Sequence, residues 1–417
     1  MIAVKSYKEL KPIQGNYLLS LEETYAKKNL RDKTERIVNS GCLAIDDLLG
    51  GGLERGNVIG LSCEGIEGRI FSFNLLSSIL ITQLEVTKPT SAPQPLTKAI
   101  IIDSTGSFPL TLLVTILKSR IIANHHHNSS NHCDHGTHRD DESFANVVDH
   151  QIQRCLEMVN ISRIFDLEGL WEVLGETDNV KHMLSTRNSS ASPNVSGNIG
   201  QVLSVKPTQS ALSPSIACSS AMEGGIEVLL VDNMTALISE FLTTRENEDA
   251  HNKLKLLSQK LHIFTRERNI LSLLHNTTVH SNIPPTNPHI FNLQSHNTKS
   301  IFPSNSLKPA LGQIFAQFTS LHLFFSSLPR ARKDANIVYQ KTKHPNSNLK
   351  LDLASYTIVI EVLKDDSSNS SFVSKGRTIG WREGKWIAVD LNKDMIDFNH
   401  AFPLTLKGKR EQEKLVI

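Results

Sequence analysis

The stretch Leu49–Ile81, LGGGLERGNVIGLSCEGIEGRIFSFNLLSSILI, decides how the rest of the chain is read. A glycine turn leads into a short apolar strand, NVIGLS (57–62). A second glycine turn, CEGIEGRI (63–70), then opens a long apolar helix. Strand, turn and helix N-terminus in that order make an anion cradle, because backbone N–H groups and the positive end of the helix dipole face one point. A nucleotide-binding loop of this kind reads G-x-x-x-x-G-K-[ST], its Lys neutralising phosphate and its hydroxyl ligating magnesium. Here Gly65 and Gly68 keep the turn, but Cys63 replaces the first glycine, Arg69 the Lys and Ile70 the hydroxyl. Arg69 keeps the charge in a longer, forked form. Ile70 offers a metal nothing, and Glu64 and Glu67 add negative charge beside any phosphate.

Outward from this turn the pattern repeats. KAIIIDSTG (98–106), IEVLLVDN (226–233) and ILSLLHN (270–276) are largely apolar runs of strand length, and ISRIFD (161–166) reads as another strand. Between them lie helical stretches: LEGLWEVLG after ISRIFD, whose Trp171 reads as core, and 252–268, where Leu254, Leu257, Leu261 and Phe264 share one face. Apolar strands alternating with helices predict a parallel sheet covered on both faces. YTIVIEVL and KWIAVDL, nearer the C-terminus, predict antiparallel hairpins at its edge. In open parallel sheets ligands bind beyond the carboxyl ends of the strands. The 63–70 turn, Asp103 and Asp232 all lie at such ends.

The 417 residues carry 44 basic and 42 acidic side chains, a balance from which no strong polyelectrolyte partner follows, so a nucleic-acid binder would need a local patch. Five scattered cysteines without a CxxC pair read as a reducing compartment. The N-terminus lacks the apolar core of a signal peptide, and no apolar run reaches the ~18 residues of a membrane span. Residues 122–146 hold His125, His126, His127, His132, His135 and His138 with Cys133, in a spacing that fits no closed zinc pattern. That stretch and 183–224, rich in Ser, Pro, Asn and Gly, are expected to be disordered insertions. Ser281–Ser306 is a third loose stretch. The expected organisation is an N-terminal arm (1–37), a core (38–400) broken by the two insertions, and a tail (401–417).

SGCLAIDDLLGGGLERGNV (40–58), AIIIDSTGSF (99–108), VLLVDNMTALI (228–238), LHIFTRERNILSLLHNTTV (261–279) and LKPALGQIFAQFTSLHLFF (307–325) occur in that order. Together they resemble the ATPase core of the RecA-like recombinase family, the eukaryotic strand-exchange recombinase and its paralogues. LKPALG and GRTIGWREGKW resemble its diverged D-type paralogue. The resemblance covers roughly 40–120, 150–180 and 225–330, and more loosely the chain to 390. It implies an α/β fold: a RecA-like P-loop core with a mostly parallel sheet flanked by helices and antiparallel hairpins at the C-terminal edge.

It also implies roles. Gly65, Gly68 and Arg69 would lie in a degenerate nucleotide loop, and Asp232 would match the aspartate that positions magnesium. Thr105 stands where active members have the Glu that polarises the attacking water, and a hydroxyl is no carboxylate base. Asn276–Thr277 matches an Asn-Gln pair that senses the γ-phosphate. With the Lys, the hydroxyl, the Glu and the Gln all replaced, the resemblance implies that ATP hydrolysis is lost and that ATP and magnesium are doubtful cofactors. Family nucleotides lie between subunits, so Lys308 could still reach a neighbour's ATP. Family DNA loops would correspond to Ser239–Ala250 and Val279–Ser306, and neither holds the cations that phosphate contacts need. Arg330, Arg332 and Lys333, in the basic run 328–343, are the better DNA candidates, in what reads as a solvated loop.

The expected protein is a nuclear, non-hydrolysing recombinase paralogue of homologous recombination repair, supporting filament assembly on single-stranded DNA. Its partners would be other paralogues and the recombinase itself, with weak DNA binding alone and no membrane. The competing readings are an active DNA-dependent ATPase with an atypical loop, and a metal-binding protein on a reused fold.

Overall fold

The computed structural model describes residues 37–86, 97–130, 141–175, 225–244, 247–280, 300–302, 305–343, 355–366, 380–392 and 394–402. The arm before residue 37, the 183–224 insertion and the tail beyond 402 lie outside the described residues. Two short strands, β1 (Ile37–Val38) and β2 (Leu53–Glu54), pair antiparallel, and nine more strands form one sheet in the order β13-β12-β11-β10-β3-β7-β6-β4-β5. The parallel part comprises β3 (Val58–Ser62), β4 (Ala99–Asp103), β5 (Val159–Arg163), β6 (Val228–Asp232), β7 (Leu271–Asn276) and β10 (Leu321–Pro329). β11 (Tyr356–Asp365), β12 (Trp386–Leu391) and β13 (Phe398–His400) extend it as an antiparallel edge. The α/β class, the mostly parallel sheet and the hairpin edge are as the sequence predicts.

Alternation along the strands divides the core between the two faces. Ile59, Leu61, Ile101, Leu230 and Leu273 face α2 (Glu67–Val86), α3 (Leu110–Ser130) and α4 (Asp141–Glu157). Val58, Ile100, Ile102, Leu229, Val231 and Leu274 face a helix at 167–175, then α6 (Met234–Thr244), α7 (Asn247–Arg268) and α8 (Gly312–Phe318). The α7 stripe is as expected, with Leu254, Leu257, Leu261 and Phe264 all buried. Trp171 is only partly buried, with the Lys260 Nζ 5.0 Å from its ring centre. β5 starts two residues earlier than ISRIFD and ends before Phe165, which is 67% exposed.

The histidine-rich insertion departs from expectation. Helix α3 runs on to Ser130 and α4 begins at Asp141, so both ends of 122–146 are helical, and 131–140 lies outside the described residues. His125 explains part of this, since its ring meets Phe144 edge-on at 5.5 Å and bonds Gln151 at 3.0 Å. The basic run is corrected too: 332–343 is helix α9 (Arg332–Lys343), begun by Ala331 N–H donating to the Asp334 carboxylate at 3.1 Å.

Two close fits hold the hairpin edge and the sheet centre. Arg382 is buried, donates to both Asp365 oxygens at 2.9 and 2.6 Å, and caps the Leu49 carbonyl of α1 (Leu43–Leu49) at 3.0 Å. At Gly60 a Cβ would stand 2.5 Å from Thr319 Cγ2 and 2.6 Å from the Phe315 ring. Gly60→Ala therefore forces α8 away from β3 and should cost about 1–3 kcal/mol. A fall in the urea midpoint at constant m would show it, and an unchanged midpoint would mean that Phe315 repacks freely.

Candidate functional site

The carboxyl ends of β3, β4, β6 and β7 converge on the 63–70 turn, as the sequence predicts for a ligand site. The turn keeps a cradle's shape, but the chain's own groups fill it. A Cβ on Gly68 would lie 2.8 Å from Cys63 Sγ, so only glycine lets the turn close over that thiol. Burial pushes the Cys63 thiol up to about 11, against the opposing pull of the Gly68 N–H bonded to its sulfur. The Glu67 carboxylate lies over Gly65, within 2.6 Å of where a Cβ would stand. It also provides the acidic first turn of α2, the charge a helix N-terminus favours.

Arg69 does not point to open space. Its Nε donates to Asp232 Oδ2 at 2.8 Å and its Nη2 to Oδ1 at 3.3 Å. The Asp232 side chain is 2% exposed and that of Arg69 26%. His275 Nδ1 approaches Asp232 Oδ1 at 3.3 Å, and its Nε2 lies 2.8 Å from Ser72 Oγ. Because the carboxylate only accepts, Nδ1 donates to it, and Ser72 Oγ shares a hydrogen bond with Nε2. Burial pushes the Asp232 carboxyl up, but His275 and then Arg69 pull it further, leaving it below the usual range. Hydroxyl, imidazole and carboxylate stand in the sequence of a hydrolase triad. Ser72, however, is fully buried within α2, so no substrate reaches it and the row is structural.

A second row runs from the surface inward. Thr277 N–H donates to Thr235 Oγ1 at 2.9 Å, and Thr235 donates to Asn276 Oδ1 at 2.7 Å. Asn276 Nδ2 donates to Ser62 Oγ at 2.8 Å. The Ser62 hydroxyl shares a hydrogen bond with His322 Nε2 at 2.7 Å. His322 is completely buried with no partner on Nδ1 among the described residues. Burial, then Lys364, lowers its ring to about 3. Asn276 is thus spent on the β3–β7 junction and does not face a ligand.

The remaining expected residues are dispersed. Asp103 accepts from the N–H groups of Thr105, Gly106 and Phe108 at 3.1, 2.8 and 3.3 Å, so it caps its own turn. Thr105 Oγ1 bonds Asp103 and Ser107. Lys308 is exposed on β9 (Leu307–Pro309), which pairs with β8 (Thr278–His280) beside the site. Ser239–Ala250 is largely α6 and the start of α7 rather than a loop. Of Val279–Ser306, residues 281–299 and 303–304 lie outside the described residues. The far end of that segment is tied down, with Ser300 Oγ and Ile301 N–H each 2.7 Å from the Glu361 carboxylate. Arg330 is no free cation: it pairs with Asp390 at 2.7 Å, donates to the Ala401 carbonyl at 2.7 Å and lies over Phe402. Arg332 and Lys333 are exposed on α9.

Sequence reading missed His275, Ser72, Ser62, Thr235 and His322. The available signal was polar residues at the ends of otherwise apolar strands: Ser62 closing VIGLS and His275 closing LSLLH.

A magnesium nucleotide does not fit these residues. Both Asp232 oxygens are engaged, Ile70 is buried without an oxygen, and Glu67 lies over the turn. Among the described residues no three His, Cys, Asp or Glu side chains group as a metal site, and no helix is long and apolar enough to cross a membrane. No family model matches the chain, and no curated protein matches it. Among solved structures, the crystal structure of the RadB recombinase is similar with a TM-score of 0.43 and 12% identity, over 88% of this chain and 100% of that one.

Proposed function

We propose that this chain is a non-hydrolysing recombinase paralogue, with the D-type pattern, that supports filament assembly on single-stranded DNA in homologous recombination repair. Support comes from the order of its strand-end motifs, which resembles the RecA-like recombinases. The observation that carries the loss of hydrolysis is the Arg69–Asp232 ion pair, which puts the loop's cation on the carboxylate that would otherwise position magnesium. On this reading the protein acts in the nucleus through interfaces with other paralogues and the recombinase. Head-to-tail contact between unequal subunits suits that role. Lys308, exposed beside the site, would then serve a neighbour's nucleotide rather than its own.

Thermal unfolding of the purified chain should not move when millimolar Mg-ATP is added. A ligand at about 100 times its Kd would add about 2.7 kcal/mol, a shift of several degrees. A shift that disappears in Asp232→Ala would mean a working nucleotide pocket, and magnesium-dependent turnover lost in the same variant would reinstate the active ATPase. The supporting role is read separately: the chain should speed recombinase assembly on single-stranded DNA without turning over ATP itself, and no effect on assembly would sink it.

A further inference from the structure

Glu361 lies in β11 with 1% of its surface exposed. A buried carboxylate ordinarily keeps a cation beside it. Asp365 has Arg382, Asp232 has Arg69, and Glu227 has Arg55 and Lys98. On Glu361 only burial, the Ser300 hydroxyl and the Ile301 N–H act, and no charge among the described residues does. Phe324 of β10 and Trp386 of β12 stand opposite it in the sheet. The titratable side chains near it along β10 and β11 are engaged elsewhere: Lys364 with Asp366 and the Ala316 and Thr319 carbonyls, Asp365 with Arg382, and His322 with Ser62.

Both Glu361 oxygens are given to one short segment. Ser300 Oγ donates to Oε2 and Ile301 N–H to Oε1, each at 2.7 Å. Ser300 Oγ also accepts from Phe302 N–H at 3.1 Å, and the Phe302 ring, 3% exposed, meets Trp386 edge-on at 5.2 Å. The bonds continue toward the hairpin beside the 63–70 turn. Asn305 N–H donates to the Phe302 carbonyl and Leu307 N–H to Asn305 Oδ1, both at 3.0 Å, and Leu307 opens β9. Just past β9, Ala310 N–H donates to the Thr277 carbonyl at 2.9 Å.

We infer from this row of bonds that Glu361 is a proton-operated clasp. As a carboxylate it holds 300–302, and through them the β8–β9 hairpin with Lys308, against the sheet edge; a proton on either oxygen loosens that hold while the sheet stays folded. A proton on Oε1 faces the Ile301 N–H, and one on Oε2 requires Ser300 to turn its own hydrogen away. Burial outweighs the two bonds and leaves the folded carboxyl above its ordinary 4.5. The folded chain therefore takes this proton before the unfolded chain does. Stability from this group is present in acid and lost as pH rises through the folded value, so acid opens the clasp without unfolding the protein through it. The clasp stands apart from the paralogue reading, which bears only on what Lys308 reaches.

The test is amide hydrogen exchange of the full chain, read residue by residue by NMR from about pH 7.5 to about 4.5 and corrected for the intrinsic rate at each pH. The Val362 amide, held by the Lys385 carbonyl at 2.9 Å, is the reference for the sheet. Protection at Ile301 and Ala310 should fall together by at least about tenfold as acid is added, the scale of one lost bond to a charged group, with Val362 still protected. Glu361→Gln should show the lower protection at every pH, without the step. Ser300→Ala keeps the carboxylate but removes a bond that favours its charged form, so its step should move to higher pH. Flat protection at Ile301 in the wild type, or the same step in Glu361→Gln, would overturn the clasp. So would Ile301 opening while Ala310 stays protected, which confines the hold to 300–302, or all three amides opening at once, which is unfolding of the sheet. If Glu361→Gln does not fold, Ser300→Ala decides, and a step left where the wild type has it would sink the proposal.

Discussion

Arg69→Ala should destabilise the folded chain by about 2–4 kcal/mol with no nucleotide present, slightly less than the about 3–5 kcal/mol typical of breaking one side of a buried pair. In a working phosphate loop the cation at this position waits for its ligand, so removing it weakens binding and leaves stability nearly unchanged. Here the guanidinium already has its anion. Asp232 is 2% exposed, and taking away its partner strands a buried carboxylate. The effect falls toward the low side because Arg69 is partly exposed and the second partner, His275, remains. The cost should depend on pH. Because the folded Asp232 carboxyl lies below its ordinary 3.8, its pairing stabilises the fold above that value and is lost as pH falls through the lower folded value. Arg69→Ala and wild type should therefore converge in strong acid. The pair is also testable by non-additivity: Arg69→Met with Asp232→Asn should cost less than the sum of the single changes, since the double variant leaves neither charge alone. A stability loss below about 0.5 kcal/mol for Arg69→Ala, the ordinary scale of surface changes, would mean that the ion pair does not persist in solution. The loop would then be open to phosphate, and the non-hydrolysing reading would lose its main support.

Most of the sheet was legible because its strands are continuous apolar runs, and only a buried parallel strand tolerates VIGLS or VLLVD at this burial. The loop's lost chemistry was legible for the same local reason: Ile70 and Thr105 lack the required atoms whatever the fold. What Arg69 does instead was not legible. Its partner is 163 residues away, and spacing within the loop says nothing about a carboxylate on another strand. The same holds for Ser72 and His275, 203 residues apart, and for Ser62 and His322, 260 apart. Arg330 was misjudged because a basic run looks solvated until Asp390 and Ala401 are brought beside it. The two ends of the 122–146 stretch were misjudged because composition weighs polar residues without their neighbours, and His125 against Phe144 is such a neighbour.

His322 should make the protein acid-labile over a window that the carboxylates do not explain. Its ring is completely buried and takes a proton only near 3, pushed down by burial and then by Lys364. The hydrogen-bond row fixes the reason in geometry. The ring's one polar neighbour is the Ser62 hydroxyl, 2.7 Å from Nε2, and Nδ1 has no partner among the described residues, so a charged ring would meet no anion. Unfolded, the ring protonates below about 6.5. Between roughly 6.5 and 3 the unfolded chain thus binds a proton that the folded chain refuses, and stability falls as pH falls through that window. Taken alone, the difference amounts to about 3 kcal/mol between pH 6.5 and 4. His322→Gln keeps a hydrogen-bonding group beside Ser62, and it has no such titration. Urea unfolding of both proteins across this range should give a steeper loss for wild type, the two curves separating as acid is added. Parallel curves would mean that the Thr277-to-His322 row opens to water before it titrates. The β3–β7–β10 junction would then be looser than its buried hydrogen bonds require.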